Sequence, residues 1–207
     1  MQFERLDTIG STMDVDRPSR TLVIADRQTN GRGTHGRKWD CGYGNLMMTL
    51  TLNALDIMDT IDLLPLVVGN AMVGAIGAGQ LKWPNDLMFG SSKCGGVLIE
   101  ISGPLVKIGV GVNIANSPAQ TRARYGVTCL DEVCEEKFEP VCLGKSISGL
   151  IVDWVDGGRD RQSVLQLWKL NSWWKPTHKG RPVRLLDDGR LVVSKDDAEK
   201  VLDFRSG

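Results

Sequence analysis

Apolar positions along this chain fall into short aliphatic and β-branched runs, with a single longer stretch between them. Residues 21–25 (TLVIA), 46–52 (LMMTLTL), 97–101 (VLIEI) and 105–112 (LVKIGVGV) each predict a strand. Only Ser102, Gly103 and Pro104 separate the last two, a hairpin connection, so the sheet is at least partly antiparallel. Residues 63–79 form the longest apolar stretch. Leu66, Val67, Asn70, Val73 and Gly74 recur there at helical spacing, and Gly69, Ala71 and Gly74 permit close approach to a sheet. Pro65, Asn70 and the glycines leave it short of a membrane-spanning length, which predicts a buried helix and no membrane role. After Pro140, the positions Ile147, Leu150, Ile151, Trp154 and Val155 predict a helix that breaks at Gly157-Gly158 and resumes from Gln162 to about Trp174. Beyond Pro176 apolar and polar residues alternate around Asp188-Gly189, the pattern of a β-hairpin. The chain therefore divides into a main domain, residues 1–175, and a small β domain, residues 176–207.

The 207 residues are 42% hydrophobic and 24% charged, an ordinary folded composition able to build a core. Basic and acidic residues number 25 each, so no overall field favours nucleic acid, although a local anion site is allowed. The five cysteines contain no CxxC pair and there are only two histidines, which argues against a disulfide framework or a structural metal. The opening MQFERLDTIGSTMD carries charges where a signal peptide needs an apolar core, which predicts a cytoplasmic protein.

Candidate chemistry concentrates in four stretches. GRGTHGRKW, residues 31–39, combines glycines that bring backbone N–H groups close to a ligand with Arg32 and Arg37, forked donors for phosphate or carboxylate, and the flat face of Trp39. A mobile surface loop has the same composition. In KWPNDL, residues 82–87, Pro84 restrains a turn from which Asn85 and Asp86 can orient a nucleotide, a magnesium ion or an amine; an Asx turn satisfying its own backbone fits equally. In KCGGVLIE, Lys93 precedes Gly95 and Gly96, as suits a cation aimed into a pocket or an exposed hairpin lysine. In GVGVNIANSP, glycines lead to Asn113, which suits a ligand lying against the strand or a β-bulge.

Taken in this order, with Ser11-Thr12 after the first strand and Gln28 ahead of the glycine loop, these elements resemble the biotin-protein ligase family over roughly residues 3–118. The resemblance implies an α+β fold, a mixed sheet flanked by helices like that of class II aminoacyl-tRNA synthetases, with a small, abbreviated SH3-like C-terminal domain. It implies a biotin-[acetyl-CoA-carboxylase] ligase that uses biotin, ATP and Mg²⁺ to make biotinyl-5′-AMP. The biotin then passes to a lysine of the biotin carboxyl carrier domain of a biotin-dependent carboxylase. By resemblance, Ser11, Thr12, Gln28, Gly31, Arg32, Lys93, Gly95 and Gly96 bind biotin. Arg37, Trp39, Asn85, Asp86, Lys93 and Asn113 bind ATP, and Lys93, Arg32, Arg37 and Asp86 are catalytic. Asp86 holds magnesium or steers the acceptor amine. A lipoate-protein ligase shares fold and strategy, and a catalytically silent biotin or adenylate sensor is the non-enzymatic alternative.

Departures from the family pattern are specific. Met13 follows Ser-Thr in place of a common asparagine, Thr34 and His35 stand where some members carry an arginine pair, Cys41-Gly42 replace serine-proline, and Met47-Met48 replace an aromatic. The chain begins almost at the first catalytic strand, so the resemblance implies the monofunctional form without a DNA-binding domain, with a homodimer left open.

Overall fold

The computed structural model describes residues 1–40, 42–118 and 125–204; Cys41 and the last three residues of the small domain lie outside the described residues. Eight strands form one mixed sheet: β1 (Gln2–Ile9), β2 (Thr21–Gln28), β3 (Leu46–Asn53), β4 (Gln80–Lys82), β5 (Asp86–Phe89), β6 (Ser92–Ser102), β7 (Leu105–Val112) and β8 (Gly126–Val127). Their order is β1-β2-β3-β7-β6-β5-β4, with β8 beside β6. β1 runs parallel to β2 and β8 to β6, while the remaining pairs are antiparallel.

Four helices, α1 (Leu64–Ile76), α2 (Leu130–Val133), α3 (Pro140–Asp156) and α4 (Arg161–Leu170), complete the α+β domain. Pro65 sits in the first turn of α1, where its missing N–H costs nothing, and Gly77 ends the helix in the left-handed region at φ 74°. α1 packs on the sheet and also against α3 and α4, so it is apolar on nearly every side. Contrary to the sequence expectation, the helical stretch Met58–Ile76 does have the length and composition of a membrane span, but most of it is buried inside this molecule as a core helix. α3 presents Leu143, Ile147, Ile151 and Val155 as one buried stripe, capped by Glu139, which accepts from the Cys142 N–H at 2.8 Å.

α4 stops at Leu170 rather than near Trp174. The chain leaves the helix to bond the sheet edge: Leu81 N–H donates to Asn171 at 2.8 Å and Trp173 N–H to Leu81 at 2.9 Å. A tertiary edge pairing thus overrides a helical pattern. The C-terminal segment is a three-stranded antiparallel sheet, β9 (Arg181–Leu185), β10 (Leu191–Lys195) and β11 (Ala198–Leu202). Asp188-Gly189 lies in the β9–β10 loop as expected. The second hairpin turns at Asp196-Asp197, both in the left-handed region (φ 52° and 61°), where no glycine advertises a turn.

The two faces of the sheet differ. On β7, Val106, Ile108, Val110 and Val112 join the core on the helix side, and Leu46, Met48, Leu50 and Leu52 do so on β3. The alternate positions form transverse rows on the opposite face: Met47–Gly111–Gly96–Asp86, Thr49–Gly109–Leu98 and Thr51–Lys107–Glu100.

Candidate active site

A narrow cleft of about 50 Å³ lies over the rows of glycines. Polar side chains gather at one end: Gln28 Oε1 accepts from the Thr12 N–H at 2.7 Å and from the Thr12 hydroxyl at 3.0 Å, and the Thr49 hydroxyl donates to Thr12 Oγ1 at 2.8 Å. Ser11 Oγ accepts from the Met13 N–H and caps the short turn that carries Thr12. Ser11, Thr12 and Thr49 are each almost completely buried; Ser11, Thr12 and Gln28 line the cleft, and Thr49 backs them through its bond to Thr12.

The glycine loop is closed by a bridge between Arg32 and Lys38, with Trp39 N–H donating to Gly31 at 2.9 Å. Gly31 is needed there because a Cβ would stand 2.5 Å from the Trp39 carbonyl oxygen, and 2.8 Å from Gln28 Nε2. The loop lays Trp39 on the sheet: the indole rests on Gly111, where any Cβ would enter the ring, and borders Gly96. Where the sequence suggested a ligand lying against these glycines, Trp39 covers Gly111 and the Met13 thioether covers Gly109. Gly96 also lets the Lys93 stem cross the sheet, with Nζ 3.2 Å from the position of its absent Cβ. Gly95 points the other way, toward Met72 and the Gly111 carbonyl, and so packs the core rather than lining the cleft.

Lys93 Nζ donates to Asp86 Oδ1 and lies 5.6 Å from the centre of the Trp39 ring; Lys82 Nζ donates to Asp86 Oδ2 at 2.9 Å. Burial alone would raise the Asp86 pKa, but the combined attraction of Lys93 and Lys82 outweighs it and holds the carboxyl below its usual range. Both oxygens of Asp86 therefore face ammonium groups, a donor set that does not fit the magnesium role expected of Asp86. Among the described residues no cluster of three or more His, Cys, Asp or Glu could hold a metal ion.

Arg32, expected at the substrate carboxylate, lines the cleft and grips Glu100 through Nε and Nη2, each at 3.0 Å, and bonds Asp14 through Nη1. Its hydrogen bonds to Glu100 and then Asp14 raise its pKa, fixing the charge of a strut between loop, turn and sheet. Arg37 bonds the Thr34 carbonyl and hydroxyl at 3.2 Å each and faces a second cavity of about 1210 Å³. Asn85 donates to the Val97 carbonyl at 2.9 Å, and Asn113 to the Thr128 carbonyl at 3.1 Å. Among the described residues, Asn113 Oδ1 and Trp39 Nε1 are buried without a hydrogen-bond partner. The larger cavity continues past Lys82, Lys93, Lys175 and Lys179 to the small β sheet.

Several supporting residues escaped the sequence reading. Glu100 closes the KCGGVLIE stretch, yet its partner Arg32 is 68 positions away. Lys107 interrupts an apolar strand, a visible signal; it is buried, donating to the Met13 carbonyl at 3.0 Å and to Asp16 at 2.7 Å. Asn45 Oδ1 accepts from the backbone of Ile114, Ala115 and Asn116 and shapes the loop after Asn113.

Fold and site define a class of protein: a mixed-sheet domain in which a polar-ended slot opens past a clamped lysine into a cationic, aromatic cavity. The model of the biotin/lipoate A/B protein ligase family matches residues 11–114, half of the chain, and the chain belongs to that family. A biotin–[acetyl-CoA-carboxylase] ligase of Mycobacterium tuberculosis is 30% identical over 109 residues, 48% of this chain and 41% of that protein. One from Paracoccus denitrificans is 33% identical over 118 residues, 51% of this chain and 49% of that protein. The matched stretches thus span under half of these curated relatives. Among solved structures, the biotin protein ligase of Leishmania major in complex with biotinyl-5-AMP superposes with a TM-score of 0.76 at 28% identity, covering 98% of both chains. The fold is shared with the biotin protein ligase of Aquifex aeolicus in complex with biotin and ATP (TM-score 0.82, 24% identity, covering 97% of this chain and 95% of that one).

Proposed function

We propose that this protein is an ATP-dependent biotin-protein ligase of the biotin-[acetyl-CoA-carboxylase] type, which adenylates biotin and passes it to a lysine of a biotin carboxyl carrier domain. The observation that carries the reading is the hydroxyl and amide cluster of Ser11, Thr12 and Gln28, backed by Thr49, at the end of a slot walled by Met13 and Trp39. A ureido ring offers two N–H donors and a carbonyl acceptor to such a cluster, whereas the dithiolane of lipoate offers neither. Similar proteins solved in complex with biotin and ATP or with biotinyl-5-AMP support the same substrates.

In this reading a biotin carboxylate oxygen attacks the α-phosphorus of ATP and pyrophosphate leaves. The acceptor amine then attacks the acyl carbon, AMP leaves, and the amine gives up a proton. Lys93, beside the slot, lowers the repulsion between carboxylate and phosphate and stabilises the charge that develops between them. Asp86 orients Lys93 and Lys82 rather than acting as a base, since its depressed pKa makes it a weak proton acceptor. Arg37 serves the nucleotide phosphates, and Trp39, Asn85 and Asn113 the adenine side. The division at residue 175 separates the sheet that builds the slot from the segment that closes the far side of the larger cavity.

Incubation with biotin, Mg-ATP and a biotin carrier domain, followed by intact mass measurement of the acceptor beside a lipoate control, tests the reading. ATP-dependent addition of biotin alone is expected; addition of lipoate, or of neither, would overturn it.

A further inference from the structure

We propose that Met13 is a specificity-determining residue of the slot: its thioether forms the wall of the closed end and sets the size of the ring admitted there. This rests on the ligase reading above and concerns which ring that site accepts.

The Met13 backbone is held on both sides. Its N–H donates to Ser11 Oγ at 3.3 Å, and its carbonyl accepts from Lys107 Nζ at 3.0 Å. Lys107 is itself only 5% exposed and bonded to Asp16 at 2.7 Å, so the anchor is a buried ammonium rather than a mobile surface group. From that fixed backbone the side chain runs inward, 4% exposed, and lays its sulfur on Gly109, 2.7 Å from where a Cβ would stand. Gly109 is the register partner of Thr49, whose hydroxyl bonds Thr12. The thioether therefore borders the same polar cluster that receives the ureido ring. At the other end Trp39 covers Gly111, so one flexible side chain and one flat one divide the glycine floor between them. With only about 50 Å³ free between them, the atoms of Met13 beyond Cβ are a large part of what limits a ring at the closed end.

Truncation is expected to enlarge that end, and a methyl on Gly109 to shrink it by pushing the sulfur into the slot. Calorimetric affinities of the intact protein for biotin and for an analogue carrying one extra methyl on a ureido nitrogen test this. Met13→Ala is expected to reduce the preference for biotin over the methylated analogue by about tenfold, the discrimination one methyl confers in a close-fitting pocket. Met13→Leu is expected to keep the preference, and Gly109→Ala to sharpen it. A preference unchanged in both Met13→Ala and Gly109→Ala would overturn the inference while leaving the ligase reading intact. Wild-type protein that binds neither compound would overturn the ligase reading and this inference with it.

Discussion

Asp86 sits between two ammonium groups, and the balance of burial against attraction there decides how the site answers to pH and to substitution. Its folded pKa lies below that of the unfolded chain, so its stabilising contribution is complete above about pH 4 and is lost as pH falls through the lower folded value. Asp86→Asn is expected to cost about 3 kcal/mol at neutral pH, because it leaves Lys82 and Lys93 without their shared counter-charge, and to approach the wild type in acid. Thermal melts of both proteins across the acid range check this. Lys93→Ala is expected to slow adenylate formation about ten- to hundredfold, the effect of losing one charge-assisted bond of about 1.5–3 kcal/mol, in a single-turnover assay. Cys94 is pushed up to about 12, chiefly by burial, and is expected to resist alkylation at neutral pH until the protein is denatured. At this scale the sequence displayed Lys93 and Asp86 within recognisable stretches. The pairing of Lys82 with Asp86 was not legible, since it arises from the turn joining β4 to β5, and nothing local to Arg32 revealed that Glu100 and Asp14 would engage it.

Strands place the chemistry by alternation. β7 read correctly as a strand, and its Lys-x-Gly-x-Gly spacing puts Lys107, Gly109 and Gly111 on one face; what covers each of them depends on the neighbouring turn and loop. Gly111→Ala is expected to lift Trp39 from the sheet and raise the KM for ATP by about tenfold or more, with a smaller effect on biotin affinity; steady-state kinetics with each substrate varied separately resolve the two. α1 and α3 were legible because proline, glycine and a periodic apolar pattern mark their bodies and ends. The end of α4 and the β10–β11 hairpin were not. The first is set by pairing with Leu81, and the second by two aspartates that tolerate the left-handed region less readily than glycine.

Across the whole molecule, the small β sheet is not an attachment that can be shed without consequence. Leu185, Leu191, Val193 and Leu202 belong to the same core cluster as α1, Trp83 Nε1 donates to the Gly189 carbonyl at 2.9 Å, and Trp83 stacks on Phe204 at 5.4 Å. Truncation after Pro176 is expected to lower the melting temperature of the remaining domain and expose apolar surface, detectable by calorimetry and dye binding. Sequence patterning identified a separate β segment but could not reveal this shared core, because each of its apolar residues also fits the inner face of a free-standing hairpin. The same arrangement has an optical consequence. Of the six tryptophans, Trp39, Trp83, Trp168, Trp173 and Trp174 line the larger cavity. Five of the six indole fluorophores therefore stand around one chamber, so the emission spectrum is expected to be a built-in, label-free gauge of what enters there.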